Sequence, residues 1–93
     1  MSREDNRIRE WVAERDDEAV MFDGLDAAVL GMGVRCGEPA VVVYDRERIV
    51  RLLVERDGMT EEQASEFCSV NIEGGWLGPR TPIVVERIEE NKE

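Results

Sequence analysis

The sequence contains no histidine and a single lysine, Lys92. The first absence removes histidine general bases, Ser-His-Asp and Cys-His nucleophiles, and histidine metal sites from this chain. The second leaves Schiff-base chemistry without a credible amine. Cysteine is nearly as scarce. Cys36 and Cys68 match no metal or redox spacing, and both read as small packing residues, reduced in an intracellular setting. No apolar run approaches the roughly 20 residues that span a bilayer, and the opening MSREDNRIREW has no apolar signal-peptide core. The expectation is a cytoplasmic protein with no membrane contact, no cofactor and no metal.

Charge is what the chain has in excess. Acids outnumber bases 22 to 12, for a net charge of −10 over 93 residues. Such a balance opposes direct nucleic-acid binding and favours a protein partner, in particular a basic one. The excess is spread along the chain, with 67–83 neutral, which also fits simple solubility or adaptation to salt. With 42% hydrophobic residues and no low-complexity tract, the chain reads as one folded domain over 1–93 with a small core.

Residues 2–15 carry Ile8, Trp11, Val12 and Arg15 at helical spacing, with Ser2 and Asp5 as start signals, and Trp11 is the expected anchor. Strands are expected within 19–44. AAVLGMGVR at 27–35 reads as a strand because two closely spaced glycines disfavour a helix. Simple alternation places Leu30, Met32 and Val34 on one face, and Val29, Gly31, Gly33 and Arg35 on the other, bare at its centre. AVVVY at 40–44 is β-branched and bounded by Pro39 and Asp45. A helical hairpin is expected over 45–73. Asp45 caps its first helix, whose apolar stripe is Ile49, Leu52, Leu53 and the stem of Arg56, and Gly58 ends it. Thr60 and Gln63 open the second as a capping box, with Ala64, Phe67, Cys68 and Asn71 on its stripe. A strand at 82–88 and a charged tail at 89–93 follow. The fold class is α+β, an antiparallel or mixed sheet with helices on one face.

Few motifs carry chemistry. GMGVRCG has neither the spacing of a phosphate loop nor the Lys-Ser/Thr of a Walker motif. Asp23 and Asp26 in FDGLD form a candidate carboxylate pair, but the calcium-loop pattern is missing and a turn is the simpler use. The glycine-rich stretch NIEGGWLGPRTPIVV at 71–85 reads mainly as a joint between helix and strand. In that reading Asn71 pins the loop, Gly74 ends the helix in the left-handed region, and Trp76 returns to the core. The alternative turns Trp76 and Arg80 toward a partner.

The order FDGLD, AVLGMG, VVVYDRERIVRLLVERDGMTEEQASEFCSVNIEGGWLGPRTPIVV resembles small uncharacterised proteins encoded by bacteriophages and other prokaryotic viruses. The likeness rests on the Tyr-Asp helix start, the Asp-Gly-Met-Thr hinge, an Asn near a helix end and the Trp-x-Gly-x-x-Thr-Pro turn, over roughly residues 19–85. It implies a viral or prophage gene and no particular activity. The resulting expectation is a small, acidic, non-enzymatic viral accessory protein that binds a host or viral macromolecule, for instance as a host-defence inhibitor, with homo-oligomers also compatible. The alternative is a small-molecule-binding domain or weak carboxylate-based hydrolase. The candidate binding residues are Trp76, Arg80, Asp23, Asp26 and Tyr44.

Overall fold

A run of three β-branched valines followed by Tyr44 and a helix cap gives the molecule its central strand. In the computed structural model, which describes residues 3–88 and side chains from Arg7 onward, β2 (Val41–Asp45) lies between β1 (Val29–Gly33) and β3 (Ile83–Val85). It pairs antiparallel with β1 and parallel with β3. A parallel neighbour requires a crossover. Helices α2 (Arg46–Asp57) and α3 (Glu61–Phe67) supply it, and α1 (Arg3–Arg15) precedes the sheet. The mixed α+β architecture therefore follows the sequence reading. The expected Ser2 cap and the tail at 89–93 lie outside the described residues. Among the described residues no helix is long and apolar enough to cross a membrane.

The helix boundaries are set by local chemistry. Asp45 Oδ1 accepts from Glu47 N at 3.0 Å at the start of α2, and Gly58, with φ of 75°, closes it. At α3 the capping box forms in both directions, Gln63 N to Thr60 Oγ1 and Thr60 N to Gln63 Oε1. Ile49 and Leu53 of α2, Ala64 of α3 and Cys68 just beyond it meet Val42 and Tyr44 of β2 in one core. The free thiol of Cys68 is buried as expected, whereas Cys36 is exposed.

Four local expectations are overturned. Val12, not Trp11, anchors α1: Val12 is 2% exposed, while Trp11 is 40% exposed and carries the Arg15 guanidinium 3.6 Å above its ring. No strand forms at 19–25; Ala19, Met21 and Phe22 pack against the core from an irregular segment. In β1 the ladder slips between Val29 and Gly31, so Leu30 is an extra residue in a bulge. A bulge breaks the period of two, and Val29 joins Met32 against the core while Leu30 is exposed.

The fourth correction concerns the end of α3. Cys68–Ile72 winds as a π-turn, with Glu73 N donating to Cys68 O at 2.8 Å. The wider turn carries Ile72 inward and leaves Asn71 exposed, against the expected stripe. Nor does Gly74 adopt the left-handed conformation. Its need for glycine is steric, because a Cβ there would stand 2.9 Å from Val70 O, whereas one at Gly75 would meet nothing. Backbone cannot yield as a flexible side chain does, so Gly74→Ala should destabilise by about 1–3 kcal/mol. Gly75→Ala should be close to neutral, and thermal melts of the two variants side by side check the contrast.

Candidate interaction surface

The two faces of the sheet differ. Val42 and Tyr44, together with Val29, Met32 and Val84, face the helices. By alternation Gly31, Gly33, Val41, Val43, Ile83 and Val85 point to the opposite side. The core cluster includes none of these six. Gly33 lies so close to the next strand that a Cβ would stand 3.2 Å from Val43 Cγ2, so this face is shallow at its centre. A groove of about 690 Å³ runs over it, lined by Gly33, Val34, Val41, Trp76, Pro79 and Ile83, with Arg35 and Glu38 among its edges. Val34 is 82%, Trp76 77% and Ile83 50% exposed.

The loop that presents Trp76 is held from below, without help from Trp76 itself. Gly78 takes φ of 100°. Thr81 Oγ1 donates to Gly78 O at 2.6 Å and accepts from Leu77 N at 2.7 Å, while Thr81 N donates to Gly78 O. Thr81 thus does the pinning expected of Asn71. Arg80 ties the loop to the end of α1, its Nε donating to Asp16 Oδ2 at 2.9 Å and its Nη2 lying 3.6 Å from Glu18. The hydrogen bond from Arg80, seconded by one from Glu18 N, holds the Asp16 carboxyl below its ordinary value. Arg80 is therefore occupied in a clasp rather than offered to a ligand. The expectation that Trp76 returns to the core fails, because the loop is closed by Thr81 and Arg80 before the indole is needed.

Asp23, Asp26 and Tyr44 gather at a second place, at the other end of β2. Asp26 is buried and accepts from Arg9 Nε at 2.6 Å through Oδ2, while its Oδ1 has no hydrogen-bond partner among the described residues. Asp23 is fully exposed, 3.8 Å from Arg9 Nη2. Tyr44 is wholly buried, stacks at a tilt on Phe22 with ring centres 4.9 Å apart, and accepts from Phe22 N at 2.8 Å. Arg9 joins this corner together, which the sequence reading missed because the pairing spans 17 positions. Among the described residues no group of three or more potential ligands could hold a metal ion. Trp76 does not belong to this corner. It lines the groove by Gly33 and Val41, whereas Tyr44 pairs with Val29.

Val34, Ile83, Arg35 and Glu38 escaped the sequence reading. The available signal was the bare glycine face, combined with the parity that puts Ile83 opposite Val84.

Burial pushes the phenol of Tyr44 up to about 12 from 10.0. The unfolded chain then releases a proton near pH 10 that the folded chain retains. Stability should be intact below pH 10 and fall as the pH rises toward about 12. Tyr44 is the sole tyrosine, so a spectrophotometric phenolate titration reads it directly. A titration near the ordinary value in the folded protein would show that the ring is solvated. At the acid end, Asp16 contributes stability that is present above its ordinary 3.8 and lost as the pH falls through its lowered folded value. Asp16→Asn should flatten that part of the stability profile, as followed by denaturant melts.

No family model and no solved structure matches the chain. It is similar to a UPF0178 protein of the bacterium Heliobacterium modesticaldum, at 51% identity over 47 residues, which are 50% of this chain and 32% of that protein. The matched stretch thus spans about a third of the relative's length. The similarity is to a bacterial protein, and it corrects the viral grouping suggested by the sequence motifs: the phage and host–virus associations are withdrawn.

Proposed function

We propose that the chain is a non-enzymatic protein-interaction module whose helix-free sheet face is the contact surface. The observation that carries this reading is Trp76, 77% exposed at the edge of an apolar groove, on a loop already closed by Thr81 and Arg80. Apolar surface gathered in one place and rimmed by polar groups marks interaction sites. Tryptophan is enriched among the residues that dominate binding energy. Val34 and Ile83 extend the same patch.

The charge of the groove refines the choice of partner. Its charged lining is one cation and one anion, Arg35 and Glu38, so the acidic excess of the chain is not concentrated there. That argues for an apolar occupant carrying both signs at its edge, in place of the basic partner expected from net charge. A catalytic role for Asp23, Asp26 and Tyr44 draws less support. Asp26 is neutralised by Arg9, Asp23 lies open to solvent, and the phenol is buried and held protonated.

Trp76→Ala should leave the melting temperature nearly unchanged, since little of the indole is buried, and should abolish recovery of proteins bound by the wild-type chain in parallel affinity captures. A melt lowered by several degrees would return Trp76 to a structural role. The isolated chain should also turn over no ester or phosphate-ester substrate, with or without magnesium. Turnover abolished by Asp23→Asn would instead establish the carboxylate corner as an active site.

A further inference from the structure

The edge of the groove is complementary to itself. Arg35 and Glu38 stand on the turn between β1 and β2, where Glu38 N donates to Arg35 O at 3.0 Å. Both side chains are exposed, and neither enters an ion pair or side-chain hydrogen bond among the described residues. By contrast, Arg9, Arg46, Arg80 and Arg87 each meet a carboxylate within 3.0 Å. One unmatched cation and one unmatched anion therefore sit three positions apart, beside the apolar groove and next to Val34, 82% exposed.

We propose that a second copy of this chain covers the helix-free face about a two-fold axis at the β1–β2 turn, with Arg35 of each copy pairing with Glu38 of the other. The inference rests on reading this face as the contact surface and names its occupant. In a two-fold contact residue i meets residue j while j meets i, so this turn matches its own charges twice. An axis between positions 35 and 38 brings the two copies of Cys36, exposed on the same turn, close to one another. It also lays the exposed Val34 and Trp76 of each copy toward the groove of the other. The net charge of −10 opposes association of two copies at long range, but the groove itself, with one charge of each sign in its lining, adds nothing to that opposition.

The test is the oligomeric state of the full chain by sedimentation equilibrium, with circular dichroism melts to verify folding. The wild type should be dimeric. Arg35→Glu and Glu38→Arg should each set like charges together twice and weaken the dimer by about a hundredfold or more. The double variant R35E/E38R should regain it, and Trp76→Ala should be monomeric, with an unshifted melt when compared at a dilution at which the wild type has dissociated. A short bismaleimide should link wild type and double variant through Cys36 and fail to link either single variant. A wild type that stays monomeric, single variants that stay dimeric, or a double variant that stays monomeric would overturn the proposal. Its failure is separable from failure of the underlying reading. A monomeric wild type whose captured proteins are lost with Trp76→Ala retains the interaction face with another occupant, whereas a Trp76→Ala variant silent in both assays removes both.

Discussion

The structure hangs on the end of β2, where Asp45 is a fully buried carboxylate at the junction of strand and helix. Burying an unpaired charge costs several kcal/mol, so the site must be matched from several directions at once. Oδ1 caps α2 by accepting from Glu47 N. Oδ2 faces Arg87 Nε at 3.0 Å, out of line for a hydrogen bond, and Arg48 Nε at 3.6 Å. One side chain thus fixes where the strand stops, where the helix starts, and where the chain just beyond β3 must run. Arg46 extends the same junction to the second helix, reaching Glu73, Ser65 and Ser69. Since both sheet pairings pass through β2, a displaced Asp45 would disturb the register of β3 and the seat of the helical hairpin together.

With β2 held in this way, the helices contribute to the core on the Val42 and Tyr44 side, and the Trp76 loop stands beside the other face. The loop is stiffened by hydrogen bonds within Gly78–Thr81 and by a clasp of Arg80 on Asp16, 64 positions away in the chain. A rigid loop that does not use its tryptophan for folding can present it. The bare glycines of β1 have the complementary effect, leaving the floor of the face low so that the exposed residues stand at its edges.

Next to Asp45 at the same end of β2, the corner of Arg9, Asp26 and Tyr44 is a device for joining α1 to the rest. Arg9 reaches across to a buried carboxylate, and Tyr44 takes the amide of Phe22. Breaking such a pair by removing one partner is costly because the other charge is left desolvated. This accounts for the clustering of Asp23, Asp26 and Tyr44 in one place without assigning them chemistry. Arg56 fastens the neighbouring Asp-Gly turn by donating to Gly24 O.

Sequence alone determined what is local: the caps at Asp45 and Thr60, the stop at Gly58, the β-branched strand at 41–45, and the α+β order. These depend on hydrogen bonds and backbone preferences within four or five residues, which composition at fixed spacing reveals. Only the tertiary structure decided the rest. The bulge at Leu30 and the π-turn after Cys68 each insert one residue into a regular period, and a pattern read from spacing cannot show the slip that long-range packing rewards. Val12 displaced Trp11 as anchor because the fit of α1 is set by residues it meets far along the chain. Trp76 is outward for the same reason, its loop being closed by Thr81 and by Arg80 reaching a distant aspartate, while Asn71 is turned outward by the π-turn that contains it. No local propensity distinguishes a tryptophan that folds the protein from one left exposed on its surface.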